Sequence, residues 1–187
     1  MKTVLIADDE PLIRRQVAEC LSAYGFERVL EAENGAQAAA LAAVEKPLLI
    51  VLDVNMPVMD GITAAEKIGQ KLAAPIILLT GNTDAETIAR ARDAGVSNYL
   101  LKPFNAVQMK ATVELAIHHF IEVSNLQDEN AKLKDALETR KLVDKAKGLL
   151  IAKGMSEHEA YRKMQKIAMD KRKSLKEVAE AILLMES

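Results

Sequence analysis

Residues 48–61 read Leu48-Leu-Ile-Val-Leu-Asp53-Val-Asn-Met-Pro57-Val-Met-Asp-Gly61. Five apolar residues in a row, closed by a carboxylate and then a Pro- and Gly-bearing turn, describe a strand covered on both faces, as in a parallel sheet. The theme recurs outward from there. β-favouring runs lie at Thr3–Ala7, Arg28–Glu31, Pro75–Leu79 and Ser97–Leu101. Between the runs, the spacing of apolar residues predicts helices over 11–24, 35–45, 61–72 and 84–94, with another starting near Asn105. Pro11 suits a first helical turn, and Gly25 and Gly95 stand where two of these helices should stop. Five strand–helix repeats predict an α/β fold with a doubly wound five-stranded parallel sheet.

In such sheets the ligand crevice lies beyond the carboxyl ends of the strands. The residues that follow the runs are Asp8 and Asp9, Asp53, Thr80, and Lys102-Pro103. Three carboxylates gathered in one crevice repel one another, so they either take up protons or share a divalent cation. Oxygen-only ligands suit Mg2+ or Mn2+. A cation there would screen a phosphoryl donor approaching a carboxylate nucleophile, while Lys102 offers positive charge and Thr80 a hydroxyl donor.

Taken with the acidic pair, the Thr and the Lys-Pro, the stretch Asp53-Val-Asn-Met-Pro-Val-Met-Asp-Gly61 resembles the D-x-x-M-P-x-M-D-G signature of response-regulator receiver domains. The resemblance covers residues 1 to about 120 and implies a flavodoxin-like receiver. It implies that Asp53 is the phospho-acceptor, that Asp9 binds the metal directly and Asp8 through water, and that Asn55 lends its backbone carbonyl. It pairs Lys102 with the phosphoryl group, the Lys102–Pro103 bond being typically cis in the family. Thr80 and Tyr99 resemble the switch pair, a hydroxyl that moves toward the phosphoryl oxygen and a ring that turns inward. The flanking residues read structurally: Asp60 and Gly61 as a turn and helix start, Glu10 as a dipole partner, Asn82 as a loop residue, Met56 and Met59 as packing.

Composition narrows the setting. The single Cys20 has no internal partner for a disulfide, the short apolar run before Asp8 is a poor signal peptide, and no run approaches the length of a membrane helix. The expectation is a cytoplasmic protein without membrane contact. Charge is unevenly spread: residues 1–130 hold 11 Lys+Arg against 18 Asp+Glu, whereas residues 131–187 hold 14 against 9. A basic tail on an acidic body suits a polyanionic partner, although basic helix faces are also common solvated surface.

Beyond residue 105 the pattern is wholly helical. From Val123 a heptad register places Val123, Asn130 and Leu137 at a and Leu126 and Leu133 at d, with a polar a residue of the kind that favours a parallel dimer. The stripe is short, and an amphipathic linker helix packing on its own chain reads equally from it. Ser156-Glu-His-Glu159 and Ser174-Leu-Lys-Glu177 fit the capping box. The tail therefore reads as a long helix ending near Lys153, a second over 157–170 and a third over 175–186.

Ala146-Lys-Gly-Leu-Leu150, Ser156-Glu-x-Glu-Ala160-Tyr161, Ala168-Met169 and Val178-Ala179 resemble the ANTAR domain, the three-helix RNA-binding module of the AmiR and NasR antitermination regulators. That likeness reaches back to about residue 135. The expected organisation is a receiver over 1–120, a helical coiled-coil linker over 121–138 and the small three-helix ANTAR module over 139–187. In the module, Ala146, Gly148, Ala160 and Ala168 would let helices approach, and Leu150, Met164, Ile167, Leu175, Val178 and Ile182 would supply the core. RNA contact then falls to Lys145, Lys147, Arg162, Lys163, Lys166, Lys171, Arg172, Lys173 and Lys176. Tyr161 either stacks on an unpaired base or sits half-buried between helices.

The two resemblances together imply a signalling regulator rather than an enzyme. A sensor histidine kinase phosphorylates Asp53, which can lose the group by self-catalysed hydrolysis; the chain forms a homodimer on activation and binds hairpin RNA in nascent transcripts, promoting antitermination. A DNA-binding output and a tail that only binds another protein stay open at this point.

Overall fold

The computed structural model describes residues 2–72, 74–81, 85–96 and 98–185. In chain order the elements are β1 (Thr3–Ala7), α1 (Pro11–Tyr24), β2 (Arg28–Ala32), α2 (Gly35–Glu45), β3 (Leu49–Asp53), α3 (Gly61–Gly69), β4 (Ile76–Thr80), α4 (Ala85–Asp93), β5 (Asn98–Leu101), α5 (Ala106–Ala152), α6 (Glu157–Lys171) and α7 (Leu175–Leu184). The chain divides into two units, Met1–Val123 and Ser124–Ser187.

In the first unit five parallel strands run in the order β2-β1-β3-β4-β5. Because strand side chains alternate, β1 to β4 each feed two cores, whereas β5 gives only Leu100 to one of them. Leu5, Ala7, Ile50, Leu52 and Leu78 pack with Ala38 and Ala42 of α2, Ile62 and Ala65 of α3 and Ala91 of α4. Val4, Ile6, Val51, Ile77, Leu79 and Leu100 pack with Val17 and Leu21 of α1 and Met109 and Val113 of α5. This is the doubly wound arrangement, and it explains why β1 and β3 are buried at every position. Met56 and Met59 belong to the first of these cores, in the packing role expected of them.

Local chemistry sets the element ends. Pro11 opens α1, and Gly25, with φ of 102°, closes it. Asn34 caps α2 by accepting from the Gln37 N–H, and Asp60 caps α3 by accepting from the Thr63 N–H. Gly61 is required by contact: a Cβ there would overlap the main-chain carbonyl oxygen of Asp53. The α3 helix ends at Gly69, three residues short of the expected 72, and Leu72 packs against the same core from beyond the helix end. Ser97, Asn82 and residue 84, to which strand, loop and helix readings were attached, lie outside the described residues, as does Glu186 at the end of the last predicted helix.

In the second unit the last turns of α5 pack with α6 and α7. The core consists of Val143, Ala146, Leu150, Ala160, Met164, Val178 and Ala179, flanked by Ile167, Ala168, Leu175 and Ile182. Gly148 corrects one expectation: it is exposed, and an added Cβ would meet nothing within 4 Å. It stands two residues past Ala146, which turns it away from the inward stripe of a 3.6-residue helix. Gly154 (φ 93°) ends α5. Both capping boxes form, at Ser156/Glu159 and Ser174/Glu177.

Candidate functional site

The carboxyl ends of β1, β3, β4 and β5 bring four of the expected residues together. Asp8 is fully buried; its Oδ1 accepts from the Glu10 N–H (2.9 Å) and its Oδ2 lies 2.7 Å from the Lys102 ammonium. Asp53 is buried at the end of β3, where its Oδ2 accepts from the Asn55 N–H (2.7 Å) and its Oδ1 lies 2.5 Å from the same ammonium. The Lys102 N–H donates to the Thr80 carbonyl (2.8 Å), continuing the β4–β5 ladder one residue beyond β5. That bond and the cis Lys102–Pro103 peptide set the loop from which the lysine reaches inward. Thr80 is buried at the end of β4, and Tyr99 on β5 is half-exposed.

Two carboxylates share one cation here, so the three groups carry net negative charge when all are ionised. Burial pulls the Lys102 ammonium down, but hydrogen bonds to Asp53 and Asp8 outweigh it and hold its pKa above the ordinary lysine value. Burial pushes the Asp53 carboxyl up and repulsion from Asp8 adds to this, with Lys102 offsetting only part. A buried acid raised in this way next to a fixed cation is the kind of group found at functional sites.

The donor chemistry fits a hard divalent cation. All candidate ligands are oxygens, and the carboxylates of Asp8 and Asp53 already turn toward a common positive charge. Among the described residues no three acidic, His or Cys side chains gather as a cluster; Asp9 and Asn55 are exposed at the rim of the crevice.

Two parts of the site were not anticipated. Arg14 of α1 is buried and donates through Nη1 to the Asp8 carbonyl (2.7 Å) and through Nε to Glu31 (2.8 Å), so it fixes the main chain from which Asp8 projects. Its sequence signal was an arginine three and seven positions before Val17 and Leu21, on the buried stripe of α1. The second is Val58. It holds φ at 67° in a three-residue turn closed by the Met59 N–H on the Pro57 carbonyl (2.7 Å), although it is β-branched and 86% exposed. Such a residue in the left-handed region stores about 1–2 kcal/mol of strain beside the acceptor strand. Asp60 ties that loop to α4: it accepts from the Thr63 N–H and hydroxyl and from Arg90. Burial raises its carboxyl, but these partners outweigh it and leave it below the usual range. Glu10 makes no side-chain cap; its N–H goes to Asp8 and its carbonyl accepts from the Ile13 and Arg14 N–H groups.

In the second unit the basic residues separate into two groups. Lys147 lies 3.0 Å from both Asp144 and Glu157, Lys173 lies 2.6 Å from Glu177, and Lys176 lies 2.6 Å from Asp135 and 3.6 Å from Glu138. Lys145, Arg162, Lys163, Lys166, Lys171 and Arg172 are exposed. Tyr161 is 38% exposed at the start of α6, at the border between core and solvent. The heptad residues Leu126, Leu133 and Leu137 are each more than half exposed. By helical periodicity they lie on the side of α5 away from Val143, Ala146 and Leu150. No helix among the described residues is long and apolar enough to cross a membrane.

Comparison with known proteins matches this arrangement at both ends. Residues 4–114 match the response regulator receiver domain and residues 131–183 the ANTAR domain. The transcriptional regulatory protein PdtaR of Mycobacterium tuberculosis is 48% identical over 183 residues, covering 97% of this chain and 89% of that protein. The chemotaxis protein CheY of Bacillus subtilis is 40% identical over 104 residues, 55% of this chain and 87% of its own length. Among solved structures, Vibrio cholerae CheY4 superposes with a TM-score of 0.57 at 33% identity, covering 62% of this chain and 98% of that one. The crevice at the sheet edge and the three-helix tail thus have separate kin, and one relative spans both: this chain belongs to the response regulators that join a receiver domain to a C-terminal ANTAR output domain.

Proposed function

We propose that the chain is a phosphorylation-controlled RNA-binding antitermination regulator of the cytoplasm, with the receiver over 1–120, the linker over 121–138 and the RNA-binding module over 139–187. The observation that carries the receiver half is the contact between Lys102 and the buried Asp53 at the carboxyl edge of the sheet. A sensor histidine kinase is the phosphoryl donor. An Asp53 oxygen attacks the phosphorus, the bond to the donor breaks, and the Lys102 ammonium turns to the phosphoryl oxygens. The hydroxyl of Thr80 then donates to the same group, and Tyr99, half-exposed before the event, moves inward behind it. Asp8, Asp9, Asp53 and the Asn55 carbonyl would hold Mg2+ (or Mn2+), which would screen the charge of the phosphoryl oxygens. Hydrolysis of the acyl phosphate by water returns Asp53 to its starting state.

The output is carried by the tail. Two copies associate through the exposed Leu126, Leu133 and Leu137 seam, with Asn130 at an a position. Because that seam lies away from the α6–α7 packing face, pairing leaves each module intact. Two linked modules then hold two hairpins of one nascent transcript with gained avidity and disfavour a competing terminator stem.

Treatment with a small acyl phosphate and Mg2+ should add one phosphoryl mass at Asp53 in the wild type and none in Asp53→Ala. The phosphorylated form should bind a two-hairpin RNA more tightly than the unphosphorylated form at fixed salt. Equal binding by the two forms would refute the coupling.

A further inference from the structure

Within the module, the acidic residues of α6 are mostly engaged elsewhere. Glu159 accepts from the Ser156 N–H in the capping box, and Glu157 pairs with Lys147, leaving Asp170 as the remaining carboxylate of the helix. The inward stripe of α6 is Ala160, Met164, Ile167 and Ala168. At 3.6 residues per turn the opposite side falls on Arg162, Lys166 and Met169, with Lys163 on one flank and Tyr161 on the other. Arg162, Lys163 and Lys166 are exposed and make no ion pair among the described residues. Met169 is 79% exposed. An exposed methionine alone means little. Here it shares a face with cations one and two turns away and lies on the same helix as a border tyrosine, which is the mixture of charge and adaptable apolar surface that single-stranded RNA requires.

Three other cations of the module behave differently. Lys147 bridges α5 and the first turn of α6, Lys176 ties α7 to Asp135 and Glu138 of α5, and Lys173 braces the capping box through Glu177. The charge of Lys147 and Lys176 links two helices, and that of Lys173 is held locally at the start of α7. We propose that the RNA lies along the solvent face of α6, with phosphates on Arg162, Lys163 and Lys166, one unpaired loop base against Met169 and another against Tyr161 about 12 Å away along the helix, and that Lys147, Lys173 and Lys176 are structural cations of the module. This deepens the RNA-binding reading and rests on it.

The test compares two full-length double variants that remove equal charge, Arg162→Gln/Lys166→Gln and Lys173→Gln/Lys176→Gln, after circular dichroism has established that both are folded at the assay temperature. The probe is a two-hairpin RNA, titrated at several salt concentrations. The α6 pair should weaken binding about tenfold and flatten the slope of log K against log salt by about 1.4, at roughly 0.7 per lost phosphate contact on single strands. The α7 pair should change affinity less than about threefold with an unaltered slope. Met169→Gln, which keeps charge constant, should reduce the preference for the loop sequence over a scrambled loop. Equal losses from the two pairs, or no loss from the α6 pair, would overturn the proposal while leaving RNA binding intact. A wild type that binds duplex DNA as well as it binds the hairpins, or binds no RNA, would overturn the underlying reading instead.

Discussion

The Lys102 ammonium lies 2.5 Å from Asp53 Oδ1 and 2.7 Å from Asp8 Oδ2, so a single cation is shared by two buried carboxylates at the carboxyl ends of different strands. One partner is fully buried and the lysine is 19% exposed, which makes this a case where removal of one charge matters more than the worth of the pair.

Lys102→Met should therefore destabilise the first unit by about 2–3 kcal/mol at neutral pH, a figure below that of a fully buried pair because the lysine is partly wet. Without the ammonium, nothing but the Asp53 backbone partner offsets the burial and the Asp8 charge that raise the Asp53 carboxyl, and a raised acid withdraws stability as pH climbs through its folded value. The variant should be more stable near pH 5 than near pH 7.5, and Mg2+ should restore more stability to it than to the wild type. Urea titrations at the two pH values, with and without Mg2+, measure both effects.

Val58→Gly should stabilise the protein by about 0.5–1 kcal/mol. Glycine reaches φ of 67° without steric penalty, which releases about 1–2 kcal/mol of strain and gives back part of it as unfolded-state entropy. Chemical denaturation reads the stability. If the strain is held for switching, the rate of phosphoryl uptake from a small acyl phosphate will change with it.

Gly148→Ala should raise the stability of the second unit by about 0.5–1 kcal/mol, since the position is an exposed helix interior with open space around the added methyl. Thermal unfolding followed by circular dichroism checks the gain. A loss of stability would mean that the position is enclosed, as the close-approach reading of its sequence required.

The capping boxes predict an acid limit for the module. Ion pairing with Lys173 and the Ser174 hydrogen bonds push Glu177 down to about 2, and hydrogen bonds from Ser156 lower Glu159. An acid lowered on folding contributes stability that is complete above its unfolded value, about 4.3, and is lost as pH falls through the folded one. Amide exchange at Glu159 and Glu177, whose N–H groups donate to the Ser oxygens, should stay slow above pH 4.5 once corrected for intrinsic rates. Protection should fail as pH drops toward 2.

Much of the fold was legible because its information is local and redundant. An apolar run such as Leu49–Leu52 has few other uses, and the caps at Pro11, Gly25, Ser156 and Ser174 act within one turn of where they stand in the chain. Arg14 and Val58 were missed for opposite reasons. The worth of Arg14 depends on the Asp8 carbonyl and on the carboxylates of Glu31 (2.8 Å) and Glu33 (3.7 Å), all outside its own helix, and the strain at Val58 is a backbone property that a valine does not announce.

By itself, then, the order of residues determined the alternation of strands and helices, the carboxylates, hydroxyl and lysine at the strand ends, and the capped helices of a basic tail. These follow from periodicity and from hydrogen bonding across three or four residues. What the tertiary structure alone decided was pairing: that Lys102 stands between Asp8 and Asp53, that Gly148 faces solvent, and which of nine look-alike basic candidates pair with carboxylates. Charge in a sequence has a sign but no direction, and only the packing of distant elements gives it a partner.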